Sequence, residues 1–310
     1  MSANIAFVFP GQGSQSIGML AELGAEHPIV IETFAEASEV LGYDLWQLVQ
    51  HGEADQLNQT HITQPALLTA SVALWRLWLQ QGGLMPSVLA GHSLGEYSAL
   101  VCAGALEFTD AVRLVEARGQ FMQAAVPPGE GAMAAIIGMD DDAIALACEA
   151  STQGQIVAPV NYNSPGQVVI AGSKAAVERA MVACKEAGAK RALPLPVSVP
   201  SHCALMLPAA DKLRTMLSGM KVKVPTVSVV QNVDAKVANS AEAIVNNLVA
   251  QLHQPVLWSQ CVESIAASGI ELVVECGPGK VLNGLTKRIN KTLHTASIND
   301  AASFAATLEH

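Results

Sequence analysis

Short, mostly apolar segments alternate along the chain with longer segments of helical periodicity. The first run occupies residues 4–10, and similar runs occupy residues 88–90, 226–230 and 270–275. Helical periodicity is found at residues 66–81, 94–103, 110–125, 204–218, 241–252, 258–268 and 280–291. Continuous apolar strands are typical of a parallel sheet that is covered on both faces. The pattern therefore predicts an α/β protein whose main sheet is parallel.

The segment after Pro127-Pro128-Gly129 has a different rhythm. It predicts a β-α-β-β-α-β order, with strands at residues 132–137, 156–161, 168–171 and 191–195 and helices at residues 140–150 and 173–188. That order is typical of a ferredoxin-like unit. We therefore expect a large discontinuous domain formed by residues 1–129 and 198–310, into which a small ferredoxin-like α+β domain, residues 130–197, is inserted.

Composition narrows the class of protein. The 310 residues are 51% hydrophobic and 14% charged, which favours a large folded core over disorder. No apolar run approaches the roughly 20 residues of a membrane helix, and the first residues lack the basic segment of a signal peptide. A net charge of −10 argues against general nucleic-acid binding, and the six cysteines form no C-x-x-C pair. We therefore expect a cytoplasmic protein with reduced thiols, no zinc site, and neither nucleic acid nor membrane as a partner.

The strongest chemical signal is Gly91-His92-Ser93-Leu94-Gly95, which fits the G-x-S-x-G pattern. It follows a short apolar strand and precedes a helix, which is the context that a nucleophilic serine on a sharp turn requires. The small flanking residues would expose the Ser93 hydroxyl, and the N–H groups from Leu94 onward would point to where an oxyanion forms. The motif predicts Ser93 as a nucleophile.

A serine hydroxyl needs a base, and eight histidines are available. His92 is adjacent to Ser93, but neighbouring side chains diverge at a sharp turn, so we expect it to support the turn by a hydrogen bond. His202 lies in a loop at the predicted domain junction, where clefts form. Its position makes His202 the favoured base.

An acid that would orient the histidine is harder to find. Asp110 and residues 140–142 lie between Ser93 and His202, and we interpret them as helix caps. A neutral acceptor, such as a backbone carbonyl, is therefore expected to orient the imidazole.

Arg118 lies on the apolar face of a predicted helix, where a guanidinium needs an anion. One interpretation is a structural ion pair with a buried glutamate. The other is bidentate binding of a substrate carboxylate. The residues alone leave both open.

The loop Gly11-Gln12-Gly13-Ser14-Gln15 follows the first strand. It is not a dinucleotide fingerprint, because the next glycine comes too late, at Gly18. The N–H of Gln12 would serve as a second oxyanion donor if the loop reaches the active site. No pattern indicates a metal site or a tightly held cofactor.

Seven blocks, in this order, resemble the malonyl-CoA:acyl-carrier-protein transacylase family over nearly the whole chain. They are Phe9-Pro10-Gly11-Gln12-Gly13-Ser14-Gln15, Thr63-Gln64-Pro65-Ala66, Gly91-His92-Ser93-Leu94-Gly95-Glu96, Ala117-Arg118-Gly119, Asn161-Tyr162-Asn163-Ser164-Pro165, Pro200-Ser201-His202 and Glu275-Cys276-Gly277-Pro278-Gly279.

The resemblance implies an α/β-hydrolase-like catalytic domain with a ferredoxin-like insertion. It also implies the transfer of a malonyl group from malonyl-CoA to the phosphopantetheine thiol of acyl carrier protein, through a malonyl-serine, in fatty acid biosynthesis. CoA is the first product. The segment Val199-Pro200-Ser201-His202 resembles that of free-standing, malonyl-using members.

Residue roles follow from the resemblance. Ser93 is similar to the nucleophile and His202 to its base, while Arg118 matches the partner of the malonyl carboxylate. The resemblance implies that the N–H groups of Gln12 and Leu94 form the oxyanion hole. It implies that the backbone carbonyl of Gln251 orients the histidine. Further substrate contacts are implied for Gln64, Asn161 and Asn163.

Two other classes of function share some of these features. A serine esterase or thioesterase would use the same turn but would hydrolyse its acyl-enzyme quickly. A non-catalytic interaction module would not be acylated at all. Docking of an acidic carrier would need a local basic patch. Two clusters are candidates: Lys185, Lys190 and Arg191, and Lys287, Arg288 and Lys291. The alternative is that these side chains are scattered and solvated and bind no partner.

Overall fold

The computed structural model describes residues 3–197 and 199–309. Residues 1, 198 and 310, which the sequence-based division uses as domain limits, lie outside the described part of the chain, as does residue 2.

The described residues form nine β-strands. They are β1 (Ala3–Phe9), β2 (Pro86–Gly91), β3 (Gly131–Ile137), β4 (Val157–Ser164), β5 (Gln167–Ser173), β6 (Arg191–Pro194), β7 (Ser228–Val230), β8 (Leu272–Glu275) and β9 (His294–Ser297).

Fourteen α-helices and one 3₁₀ turn (Ala204–Met206) complete the described secondary structure. The helices are α1 (Ala21–Glu26), α2 (Pro28–Leu41), α3 (Leu45–His51), α4 (Ala54–Leu57), α5 (Thr60–Gln80), α6 (Gly95–Cys102), α7 (Phe108–Ala125), α8 (Asp141–Ala150), α9 (Lys174–Glu186), α10 (Leu207–Ser218), α11 (Ala241–Gln251), α12 (Trp258–Ala267), α13 (Val281–Ile289) and α14 (Ala301–Leu308).

The main sheet has the strand order β7-β2-β1-β8-β9, and each neighbouring pair is parallel. On β1, Phe7 and Phe9 join one buried apolar cluster, while Ala6 and Val8 join a second. Successive side chains of a strand point to opposite faces, so this sheet is covered on both sides. The predicted α/β class with a parallel sheet is confirmed.

The carboxyl ends of the parallel strands share one edge. Phe9 at the end of β1 is in register with Gly91 at the end of β2, and Val8 is in register with Glu275 at the end of β8. The loops that follow these strands therefore leave the sheet together, where ligands of open α/β sheets bind.

A second sheet is small and antiparallel, with the order β4-β5-β3-β6. Helices α8 and α9 contribute to the apolar cluster that covers one of its faces. The sheet meets the larger part of the chain at β4, where Val256 N–H donates to Val160 O (2.8 Å) and Tyr162 N–H donates to Val256 O (3.0 Å). The small sheet is thus joined through β4 to the segment between α11 and α12.

Several elements differ from their predicted limits. Helix α5 begins six residues earlier than the periodicity indicates and contains Pro65, and all but four of its residues are buried. Packing on all sides outweighs the helix-breaking preference of proline. Helices α1 to α4, strand β9 and helix α14 were not predicted.

The interpretation of Asp110 as a cap is wrong. Helix α7 begins at Phe108 with Glu107 at the N-cap, so Asp110 lies inside the first turn. Asp140 occupies the N-cap of α8, but its side chain makes no capping hydrogen bond. None of the described helices combines the length and the apolar character needed to cross a bilayer.

Candidate active site

Ser93 occupies the tight turn between β2 and α6. Its φ of 52° lies in the left-handed region, which is strained for a residue with a side chain and recurs at functional sites. The flanking glycines are required: a Cβ on Gly91 would overlap the Gly95 backbone, and a Cβ on Gly95 would overlap the Phe9 carbonyl. Asn232 fastens the turn, since Ser93 N–H donates to Asn232 Oδ1 (2.7 Å) and Asn232 Nδ2 donates to Gly91 O (2.7 Å). The Ser93 side chain is thereby held at the carboxyl edge of the main sheet.

His202 lies directly beside Ser93. Its Nε2 is 2.8 Å from Ser93 Oγ, and its Nδ1 is 2.6 Å from the backbone oxygen of Gln251. A carbonyl oxygen only accepts, so Nδ1 carries the proton and Nε2 presents a lone pair to the serine hydroxyl. The backbone of His202 is also anchored, because its N–H donates to Leu252 O (3.0 Å). This geometry suits a general base that a neutral acceptor orients.

The environment of His202 keeps its imidazole neutral. The residue is 3% exposed, and its desolvation, followed by the positive charge of Arg118, lowers its pKa to about 3. The hydrogen bond to Gln251 acts in the opposite direction but is the weaker effect. The base is therefore unprotonated, and able to accept a proton, through the neutral and mildly acidic range.

We expect the His202 ring resonances to stay constant in an NMR titration from pH 8 to pH 5. Below its ordinary pKa of about 6.5 the imidazole of an unfolded chain is protonated, whereas the native imidazole stays neutral until the pH approaches its lowered pKa of about 3. The spectrum of a His202→Gln variant would assign the resonances. A native titration midpoint between pH 6 and 7 would contradict this expectation.

Arg118 lies fully buried on α7 and faces the same pair of residues. Its Nη1 donates to Gln64 Oε1 (2.7 Å), and its Nη2 donates to Gln251 Oε1 (3.0 Å) and lies 3.4 Å from Ser93 Oγ. The guanidinium stacks over the Tyr97 ring, 5.2 Å from its centroid.

No carboxylate neutralises Arg118 directly. Among the ion pairs of residues 3–197 and 199–309 none involves Arg118, and its Nε has no hydrogen-bond partner there. A buried guanidinium is costly without an anion. This arrangement favours an anionic ligand over the structural ion pair that the sequence left open.

Gln12 lies in the loop after β1 and Leu94 lies in the turn that holds Ser93, and the N–H groups of these two residues are the predicted oxyanion donors. Gln12 is exposed in the loop after β1, and this loop packs against the turn, since a Cβ on Gly11 would lie 2.6 Å from His92 O. Leu94 immediately follows Ser93 and is buried. Within the described residues neither N–H donates to a protein acceptor. Both remain available as donors to a ligand.

Of the remaining predicted residues, Gln64 and Gln251 contact Arg118, whereas Asn161 and Asn163 do not. Asn163 Oδ1 lies 2.8 Å from His92 Nε2, so it supports the turn through the histidine that precedes Ser93. Asn161 is on β4, bridges to Val256 through its backbone, and has a buried Oδ1 without a partner among the described residues.

A polar layer under the turn was not predicted from the sequence. It consists of Glu96 on α6 and of Gln231 and Asn232, which follow β7. The available signal was the Gln-Asn pair immediately after a parallel strand that neighbours β2, the position from which loops of α/β sheets reach a site. In the described part of the chain, no cluster of three or more His, Cys, Asp or Glu residues could hold a metal ion.

Comparison with known proteins identifies close relatives. A family model for the acyl transferase domain matches residues 6–308. The malonyl CoA-acyl carrier protein transacylase of Salmonella typhimurium is 67% identical over 303 residues, covering 98% of this chain and 98% of the relative.

Two solved structures are also similar to this chain. An acyl carrier protein S-malonyltransferase from Vibrio cholerae has 62% identity and a TM-score of 0.97, covering 98% of this chain and 99% of that one. A malonyl-transacylase in complex with its holo type II PKS acyl-carrier protein has 62% identity and a TM-score of 0.98, with the same coverage.

Proposed function

This chain belongs to the acyl transferase domain family, and on that premise we propose that it moves a malonyl group from malonyl-CoA to the phosphopantetheine thiol of an acyl carrier protein. The reaction passes through a malonyl ester of Ser93 and serves fatty acid biosynthesis. The observation that carries the proposal is the meeting of the Ser93–His202 pair, 2.8 Å apart, with a buried guanidinium that has no carboxylate partner among the described residues. The relatives, which are named for this activity, support the same assignment.

In the first half-reaction Ser93 Oγ attacks the thioester carbonyl of malonyl-CoA while His202 Nε2 takes its proton. The carbonyl oxygen becomes an oxyanion, which the N–H groups of Gln12 and Leu94 stabilise. The C–S bond then breaks, and the leaving thiolate takes the proton from His202. CoA departs, and the malonyl ester remains on Ser93.

The second half-reaction runs the same steps with a new nucleophile. The thiol of the carrier's phosphopantetheine gives its proton to His202 Nε2 and attacks the ester carbonyl. The tetrahedral intermediate collapses, and Ser93 recovers the proton from His202. The low pKa of His202 in the free site keeps the base unprotonated when malonyl-CoA arrives.

Arg118 selects a diacid. The free carboxylate of the malonyl group forms a bidentate pair with the guanidinium. The side-chain oxygens of Gln64 and Gln251 accept from the two terminal nitrogens of the guanidinium and hold it in place. Because this contact forms only with a charged acyl group, it favours malonyl over acetyl. No metal or bound cofactor takes part in the proposed steps.

The decisive experiment is mass spectrometry of the enzyme after exposure to malonyl-CoA. We expect one malonyl adduct, located on Ser93, that persists in buffer and is discharged when holo acyl carrier protein is added. The Ser93→Ala variant controls for nonspecific acylation and should carry no adduct. Rapid loss of the adduct to water would indicate an esterase or thioesterase, and absence of any adduct would indicate a non-catalytic module.

The proposal extends to the finer fold and to location. We infer that residues 130–197 are a ferredoxin-like domain inserted into an α/β-hydrolase-like catalytic domain of residues 1–129 and 198–310. The strand order β4-β5-β3-β6 supports the first part, and a serine on a tight turn after a parallel strand supports the second. We place the reaction in the cytoplasm, which the six free thiols support.

A further inference from the structure

Glu96 is a buried carboxylate that the proposed steps do not use. It lies in the first turn of α6, three residues after Ser93, and is 0% exposed. It forms no ion pair among the described residues, and its desolvation raises its pKa to about 7. A buried acidic group without a cation costs stability. Its presence beneath the turn therefore needs a reason other than stability.

All three hydrogen bonds of Glu96 come from uncharged donors. Oε1 accepts from Gln231 Nε2 (3.1 Å), while Oε2 accepts from Asn232 N–H (2.9 Å) and Gln251 Nε2 (3.0 Å). Two of these donors belong to residues that touch Ser93, since Asn232 Oδ1 accepts its N–H and Gln251 Nε2 donates to its backbone oxygen (3.0 Å). Glu96 is thus joined to the turn through two residues, by the backbone N–H of Asn232 and by the side-chain amide of Gln251.

Gln251 connects Glu96 to Arg118. The amide of Gln251 gives its Nε2 to Glu96 and turns its Oε1 to Arg118 Nη2 (3.0 Å). All three hydrogen bonds of Glu96 are accepted by its carboxyl oxygens, so the group holds the NH₂ end of the Gln251 amide and leaves the amide oxygen for the guanidinium. The backbone carbonyl of the same Gln251 orients His202. Gln251 therefore contacts the turn, the base and the arginine, and Glu96 is the carboxyl group that accepts a hydrogen bond from its side-chain amide.

We propose that Glu96 is a positioning residue for selection of the acyl group: through the Gln251 amide it holds the Arg118 guanidinium at the place where the acyl chain's free carboxylate binds. This rests on the proposed malonyl transfer and adds a residue that acts without touching substrate. Without Glu96, Gln251 Nε2 keeps Ser93 O (3.0 Å) and Asn232 Oδ1 (3.3 Å) as acceptors but loses the carboxyl group, so the contact of Gln251 Oε1 with Arg118 is less firmly fixed. His202 uses only the backbone oxygen of Gln251, so we expect the Ser93–His202 pair to be less affected than Arg118.

The test compares malonyl-CoA with acetyl-CoA as donors in full-length Glu96→Ala. Misplacing a positioned group typically costs up to about 10²-fold, so we expect the preference for malonyl over acetyl to fall by about ten- to a hundredfold. The loss should appear mainly as a higher KM for malonyl-CoA. Glu96→Gln keeps one carbonyl oxygen that Asn232 N–H and Gln251 Nε2 can both reach, so it should restore most of the preference.

Glu275 provides a matched control. It is also a 0% exposed carboxylate near the carboxyl edge of the sheet, and it accepts from Leu282 N–H (3.1 Å) and Asn283 N–H (2.9 Å) instead of from site residues. Glu275→Ala should therefore destabilise the enzyme without moving the donor preference.

Equal losses for both donors in Glu96→Ala, or a matching change in Glu275→Ala, would overturn the inference. If Glu96→Ala does not fold, Glu96→Asp draws the carboxylate back by one methylene and keeps its charge, and an unchanged preference there also overturns it. Failure of the unmodified enzyme to transfer malonyl would instead refute the proposed function, so the two results are distinct.

Discussion

Replacing His202 with Ala is expected to slow malonylation of Ser93 by about 10²–10⁴-fold, the usual contribution of a positioned general base. The serine hydroxyl is a weak nucleophile, and His202 Nε2, 2.8 Å from Ser93 Oγ, is the acceptor for its proton. The rate is measured as appearance of the malonyl-enzyme by rapid quench and mass spectrometry. The same loss should appear with acetyl-CoA, because the base serves any thioester.

His294→Ala is the control for a histidine substitution, since His294 is exposed at the start of the edge strand β9. It should leave the acylation rate unchanged. A His202→Ala enzyme that keeps more than about a tenth of the wild-type rate would show that another group removes the proton, because the expected loss is at least about 10²-fold.

The sequence predicted the Ser93 turn correctly because its determinants are local. Glycine is needed at both positions because a Cβ on Gly91 would overlap Gly95 and a Cβ on Gly95 would overlap Phe9. The apolar strand before the two glycines and the helix after them are also visible in the sequence pattern. Four of the five strands of the parallel sheet were predictable for the same reason, since each contains a short apolar run, whereas β9 (His294–Ser297) does not.

The polar layer under the turn could not be predicted in this way. Glu96 meets Gln231, Asn232 and Gln251 across separations of 135, 136 and 155 residues, so no local pattern records these contacts. A backbone carbonyl orients His202 in place of an acidic side chain, as expected. Any residue type could supply that carbonyl, so only the family resemblance indicated Gln251. Similarly, the sequence could not decide what faces Arg118, because that depends on which acidic side chains α7 packs against.

Replacing Arg118 with Ala is expected to lower kcat/KM for malonyl-CoA by about 10²–10³-fold, because a buried bidentate charge pair is worth a few kcal/mol. Acetyl-CoA has no free carboxylate, so its turnover should change by less than about tenfold, roughly the worth of one lost hydrogen bond. The ratio of the two donors' kcat/KM values is the measurement. Arg118→Lys keeps the charge but lacks the planar fork, so it should recover only part of the ratio.

Arg76→Ala is the matched control, because Arg76 already has a carboxylate partner in Glu36 (2.6 Å) and stacks over Phe108. It should lower the Tm with no change in the donor ratio. The two arginines therefore separate the interpretations that the sequence left open: a structural arginine affects both donors equally through the amount of folded enzyme, whereas a carboxylate receptor affects one donor. Equal losses with both donors in Arg118→Ala would make Arg118 structural. A selective loss would show that the enzyme keeps a buried, unpaired guanidinium, at a cost in stability, because the substrate brings the missing anion.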